Sequence, residues 1–290
     1  MPGSEIILGF KAFDVHELLL HFLALRLGFY RERGLKVKLK DLSFVPDEQL
    51  DASTFTVACG AALLARLKGS RRKVVLVATD RPMFWMHAQK DVAKVGDLRG
   101  ERIATYPEKS PPWLLHRMIL RKYGLDPDRD VQLEAARDDV ARLGLLRSGD
   151  VRAAVLSSAM SPARLQSPGF RELLFFGDEV RIPTTGLTAS EEMMERDPEL
   201  VRAMVAAFHQ SLLAVHESPS GVLPVIMEIL GETLESANRM HECVDRCFTS
   251  RGRASPEAIR NALALVNQED ALPHPLKEED VYDYSLLPGS

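Results

Sequence analysis

Three stretches carry side chains with which proteins commonly do chemistry. The run HELLLH, residues 16–21, sets His16 and His21 around an acid. A zinc-binding histidine pair sits four residues apart on one helical face. Five residues separate these two by about 140° around a helix, so no zinc site is expected here. The run HECVDRC, residues 241–247, puts Cys243 and Cys247 on one helical face with His241 nearby. Zinc ligand pairs come from turns with tighter spacing and there is no second pair, so these read as core-facing or half-exposed thiols. Cys59 stands where a β-prone run meets Gly60 and Ala61. A helix N-terminus there would lower the thiol pKa and make it a nucleophile, with His16 as its base. The reading that base rates favour is a small buried residue beside Gly60, with the nucleophile as the alternative. None of these residues calls for a cofactor or a metal.

A fourth stretch, RIATYPEKSPPWLLHRMILRKYGL (102–125), begins like a strand and breaks at Lys109-Ser110-Pro111-Pro112 into an apolar helix. Helix N-termini leave backbone N–H groups unpaired and carry partial positive charge, which suits an anion or a polar head group. Ser110 takes the N-cap position, and the prolines remove two donors. The corner therefore reads either as a rigid helix start or as a ligand wall together with Trp113. Phe13, Phe84, Trp85 and Tyr106 are further candidate walls for an aromatic ligand. Arg81 and Arg137 can pair with a carboxylate, sulfonate or phosphate.

The elements that must position these residues are legible in the pattern. The chain has 290 residues, 46% apolar and 27% charged, with net charge −4; this is the composition of a globular protein of about two domains. No basic block interleaves with aromatics, so nucleic acid is not an expected partner, and no run approaches the roughly 20 apolar residues of a membrane span. The start, MPGSEIILGF, lacks the features of a secretory leader. A cytoplasmic location is expected as written, and an extracytoplasmic one if a leader was trimmed. The three cysteines argue for a reducing compartment.

Short β-prone runs at 5–10, 35–44, 54–60, 73–80, 102–106, 130–136, 153–159 and 172–178 alternate with helix candidates at about 14–32, 60–69, 111–123 and 138–147. That alternation predicts α/β architecture with largely parallel sheets. From about residue 190 the pattern turns helical: Ser190, Asp197-Pro198-Glu199 and Ser255-Pro256-Glu257 are helix starts. TDRPMFWMHAQ (79–89) and RIPTTGLTAS (181–190) read as crossovers. If both join the same two lobes, the lobes are discontinuous: 1–82 with 186–290, and 83–185.

The segments GFYRERGLKVKLK (28–40), VGDLRGERIATY (95–106), LRKYGLDPDRDVQL (120–133), LLRSGDVRAAVLSSAM (145–160) and ERDPELVRAMVAAFHQSLLAVHESP (195–219) together resemble the substrate-binding proteins of ABC importers. The resemblance is to the type II periplasmic-binding-protein fold, in the branch that binds sulfonates, nitrate and thiamine pyrimidines. It implies a solute-binding protein that closes on a small organic ligand in an interlobe cleft, with an ABC permease as a possible partner. In open α/β sheets ligands bind beyond the carboxyl ends of strands. That nominates Phe13, Asp14 and Cys59 from the first lobe, Ser110, Trp113, Arg137, Ser157 and Ser158 from the second, and Asp80, Arg81 and Thr185 at the hinge. The acids suit a pyrimidine-like ligand and the arginines a sulfonate or aromatic carboxylate. Two other readings stay open on the same fold: a cytosolic desulfinase-like enzyme with Cys59 and His16, and a cytosolic ligand sensor.

Overall fold

The computed structural model describes residues 5–165, 169–269 and 275–289. By its contacts the chain divides into two compact units, 1–82 with 181–290, and 83–180.

The first unit opens with β1 (Ile6–Phe10), α1 (Val15–Arg26), α2 (Phe29–Glu32), β2 (Val37–Asp41), β3 (Phe55–Ala58), α3 (Cys59–Leu67) and β4 (Arg72–Thr79). The single helix expected over 14–32 is broken at Gly28, whose φ of 84° is left-handed, a conformation that glycine adopts without steric cost. The second unit runs β5 (Phe84–Gln89), β6 (Arg102–Thr105), α4 (Pro111–Lys122), β7 (Gln132–Ala135), α5 (Asp139–Ser148), β8 (Ala153–Ser157), α6 (Pro162–Leu165), β9 (Phe170–Phe175) and α7 (Phe176–Glu179). The chain then returns to the first unit through β10 (Thr185–Ser190) and closes with α8 (Glu191–Arg196), α9 (Pro198–Glu217), α10 (Pro219–Leu230), α11 (Leu234–Cys247), α12 (Pro256–Glu269) and α13 (Glu278–Val281).

Each unit is built on a five-stranded sheet, ordered β2-β1-β3-β10-β4 in the first and β7-β6-β8-β5-β9 in the second. The sheets are mixed. β1 runs parallel to β2 and β3, and β6 parallel to β7 and β8. β10 lies antiparallel to β3 and β4, and β5 antiparallel to β8 and β9. Four of the five strands in each sheet run the same way, as largely parallel sheets require, and the two segments that read as crossovers are the single reversed strands, β5 and β10. Their lack of a period-two pattern has a physical cause. Phe84–Ala88 of β5 and all of β10 are buried, so neither strand has a polar face to alternate with an apolar one. The return to the first unit falls at residue 181 rather than 186, because Ile182 N–H donates to Asp80 C=O at 2.8 Å and Thr184 N–H to Thr79 C=O at 3.1 Å.

Helices cover both sheets. α1, buried along most of its length from Val15 to Ala24, packs against β3, β4 and β10 and under α9 and α10, while α3 packs on β4 and β10 with α12 and α13. In the second unit α5 lies on β6 and β8, and Leu143, Leu146, Val151, Ala154 and Leu156 form its core.

At one position the sheet admits only glycine. A Cβ on Gly186 would fall 1.9 Å from the Leu76 carbonyl oxygen, beside the register shift between Thr185 and Gly186. Gly186→Ala must push two backbones apart and is expected to cost about 2–3 kcal/mol in urea unfolding; a cost under about 0.5 kcal/mol would contradict this packing.

Candidate functional site

The loops that follow the parallel strands hold most of the residues nominated from sequence, and in each unit a buried charge ties them together. In the first unit β1 runs into the loop Lys11-Ala12-Phe13, and Asp14 caps α1 by accepting from Glu17 N–H at 3.0 Å. The Glu17 carboxylate reaches back to accept from Lys11 N–H at 2.7 Å and Ala12 N–H at 3.1 Å. Lys11 Nζ crosses to the loop after β2, pairing with Asp47 at 2.8 Å and donating to the carbonyls of Leu42 and Val45. His16 Nδ1 lies 3.1 Å from Asp14 Oδ1. Asp14 and Asp47 are buried and Glu17 nearly so, whereas Phe13, on the crest of the loop, is 53% exposed. Its ring meets Phe10 and Phe22 edge-on at 5.9 and 6.2 Å.

Cys59 is the first residue of α3 and is buried. Of the two readings of Cys59, the small buried residue agrees with the structure and the activated thiol does not, on two counts. Burial first, and then the neighbouring Glu17 carboxylate, push its pKa up rather than down. The helix end is also occupied, since Cys59 N–H donates to Thr184 C=O at 3.0 Å. His16, the base in that reading, is held on Asp14, and His21 bonds the Tyr30 hydroxyl at 3.0 Å.

Asp80 and Thr185 lie in the first unit, close to where the chain leaves it after Pro82 and re-enters it at Arg181. Arg181 donates to both Asp80 carboxylate oxygens at 3.3 and 3.2 Å, and Ser255 N–H, at the start of α12, donates to Asp80 as well. Thr79 Oγ1 contacts the hydroxyls of Thr184 and Thr185 at 2.7 and 2.8 Å. Arg81 is half-buried beside them.

In the second unit the central group is Arg142, nearly 99% buried. Its Nε donates to Val155 C=O at 2.7 Å and one Nη to Ala136 C=O at 3.0 Å; the other pairs with Asp139 at 3.1 Å. Its guanidinium lies 3.7 Å from the Tyr106 ring centroid. Asp139 in turn accepts from Ser157 N–H at 2.7 Å and Ser157 Oγ at 3.0 Å. One side chain thus ties the loops after β6 and β7 to strand β8. Ser157 and Ser158 are buried beneath this edge, while Arg137 is exposed upon it.

Ser110 occupies the N-cap position of α4, but its hydroxyl donates to Pro107 C=O at 2.6 Å and makes no cap bond. Lys109, with φ of 61°, supplies the tight turn that directs it there. Trp113, half-buried, stacks one face on Arg117 at 4.5 Å, and Arg117 grips Asp128 with two bonds at 2.7 and 2.6 Å. Two of the candidate aromatic walls prove to be core: Trp85 stacks on Phe175 at 4.7 Å, and Phe84 packs edge-on against Tyr106 and Phe176.

Glu17, Asp47, Asp139 and Arg142 escape a search for ligand-type residues. Asp14 with Glu17 has the three-residue spacing of a capping box, and Asp139 with Arg142 sits one helical turn apart, so both pairs leave a local signal. The lysine-to-Asp47 contact spans 36 positions and leaves none.

This pair of mixed sheets, with the loops of the parallel strands gathered at one edge of each, defines the class: the chain has the type II periplasmic-binding-protein fold. A ligand-binding component of an ABC-type import system from Staphylococcus aureus matches it with TM-score 0.77 at 13% identity, over 98% of both chains. The periplasmic aliphatic sulphonate binding protein SsuA from Escherichia coli matches with TM-score 0.74 at 14% identity, over 97% of this chain and 98% of that one. In sequence, a family model described as NMT1/THI5 like matches residues 17–221, and the chain belongs to that family. The riboflavin-binding protein RibY of Chloroflexus aurantiacus is 23% identical over 223 residues, 73% of this chain and 62% of the length of RibY.

Arg142→Met keeps the bulk of the side chain but leaves Asp139 without its cation. Breaking a buried pair costs about 3–5 kcal/mol, which chemical unfolding of the variant should register. Arg142→Lys should not restore it, because a single ammonium cannot reach two carbonyls and a carboxylate in the plane of a guanidinium. Full stability in the lysine variant would contradict the role given to the guanidinium.

Proposed function

We propose that this chain is a solute-binding protein that captures a small organic ligand for ABC-type uptake, outside the cytoplasm and in partnership with an ABC permease. The observation that carries this reading is Phe13. A phenylalanine more than half exposed on a loop held by buried contacts at the carboxyl end of a central strand is a ready-made stacking surface where α/β sheets take their ligands. In the second unit, taken by itself, Arg137 is exposed beyond β7 and is a cation suited to a sulfonate or carboxylate. The ligand class is therefore a flat organic molecule with a polar or anionic group: a sulfonate, an aromatic carboxylate or a pyrimidine-like heterocycle. Asp14, Cys59, Asp80, Arg81 and Thr185 complete the proposed edge of the first unit, and Ser110, Trp113, Ser157 and Ser158 that of the second; in each, the buried members shape the loops. Membership of the family and the names carried by RibY and the solved relatives support a binding role. Among the described residues no helix is long and apolar enough to cross a membrane.

A thermal-shift screen of alkyl and aryl sulfonates, aromatic carboxylates, pyrimidines and riboflavin tests the reading. A true ligand at 100 times its Kd adds about 2.7 kcal/mol and should raise the melting temperature by about 5 °C or more. Phe13→Ala should weaken that ligand roughly tenfold through lost stacking and burial while leaving the unliganded melting point in place. No shift across all four classes would overturn the ligand assignment.

The enzyme reading makes an opposite demand on Cys59. With its pKa raised by burial, native Cys59 should react with iodoacetamide at pH 8 at least about tenfold more slowly than a free thiol peptide. Peptide mapping should find half-exposed Cys243 labelled first. Rapid labelling of Cys59 would favour nucleophilic chemistry instead.

A further inference from the structure

The backbone of the loop that carries Phe13 is tied to α1 by one carboxyl group. Glu17 Oε2 accepts both Lys11 N–H and Ala12 N–H, and within the first unit these are the bonds that hold the loop backbone to α1. Next to it, Asp14 Oδ1 is used by Glu17 N–H and His16, but Asp14 Oδ2 is buried with no hydrogen-bond partner among the described residues. A buried carboxylate oxygen without a donor is costly, and a proton carried by Glu17, which feels the Asp14 charge, would relieve that cost.

We propose that Asp14 and Glu17 form a carboxyl pair that takes up one proton, and that this proton switches the Lys11–Phe13 loop between a clasped and a loosened form, so that the proposed ligand is held at higher pH and released in acid. In the ionised form Glu17 makes two charge-assisted bonds to the loop. In the protonated form its hydroxyl turns to Asp14 Oδ2, and the loop amides keep at most weaker, neutral bonds. The step moves one proton from solvent to the pair and breaks no covalent bond. The regulation rests on the binding reading above; the switch itself does not need a ligand to be observed.

The surroundings set where this happens. Burial, and then the Asp14 charge, raise the Glu17 pKa to about 7, against the opposing pull of His16 and the two loop N–H groups. From α3, Cys59 faces the pair as a thiol kept neutral. Lys11, from the loop itself, is turned away onto Asp47. The sign follows. The folded state holds the Glu17 proton more tightly than the unfolded chain does, so its contribution to global stability is present below the ordinary carboxylate range and is lost as pH rises through about 7. The loop clasp runs the other way: it tightens as the carboxylate forms.

Amide hydrogen exchange of the full chain, read at Lys11 and Ala12 from about pH 5.5 to 8.5 and corrected for intrinsic rates, tests this without any ligand. Protection of both amides should fall about fivefold or more on the acid side, with a midpoint near 7. Glu17→Gln, which still offers a carbonyl to the loop, should abolish the midpoint. Asp14→Asn, which can still cap α1, should move it toward the ordinary glutamate value of about 4.3. A flat profile in the unmodified protein overturns the switch, and so does a midpoint that survives in Glu17→Gln. If that variant fails to fold, the carbon-13 shift of the Glu17 carboxyl in the unmodified protein decides: titration near 7 supports the pair, and titration near 4.3 overturns it. A failed ligand screen with a positive exchange profile would remove the binding reading and leave the switch standing.

Discussion

A charge taken out of water must be matched, and here that constraint falls on the loops where a ligand is expected. Arg142 is buried where the loops after β6 and β7 meet strand β8 and the start of α5. The carbonyls of Ala136 and Val155, the Asp139 carboxylate and the Tyr106 ring each take one of its faces or edges. No apolar side chain could satisfy those acceptors, and a lysine would satisfy fewer of them. The first unit reaches the same end with different residues, with Lys11 spanning to Asp47 and Glu17 holding the loop backbone. Loops after parallel strands are otherwise the least constrained part of an α/β sheet. Buried charge makes them rigid without filling them with apolar side chains, so aromatic and charged groups can remain on the surface.

That division explains why some residues at the edge are hidden and others are not. Ser157, Asp14 and Cys59 lie inside and shape the backbone, while Phe13 and Arg137 stand outside it. A binding protein needs both kinds: pre-set loops lower the entropy lost on binding, and exposed aromatic and cationic groups supply the contact. Nucleophilic catalysis would need the reverse at Cys59, an accessible thiol with a lowered pKa. The Thr184 carbonyl on its helix end and the carboxylates nearby act against it.

Much of this was readable from the chain alone. β1, β3 and β4 are legible as short apolar runs and β2 as a period-two alternation, and Asp197-Pro198-Glu199 marks the start of α9, where Asp197 accepts from Leu200 N–H. β5 and β10 were read as crossovers because a strand buried on both faces has no alternation to detect. The Ser110 corner was placed correctly along the chain, but its hydroxyl bond was not, since a left-handed Lys109 cannot be inferred from residue type. The strand-end rule found the loops; it could not separate the side chains that hold them from those that face outward. Glu17 and Arg142, which hold the most, look in sequence like ordinary helix-surface charges.

The most direct test of the central claim is an amide chemical-shift map of the protein at saturation with the most strongly stabilising compound from the screen. The largest changes should fall at residues 10–16, 59–61, 106–113, 136–140 and 157–160, the segments that follow the parallel strands. Changes absent from all of these and confined to the helices from α9 to α12 would contradict it.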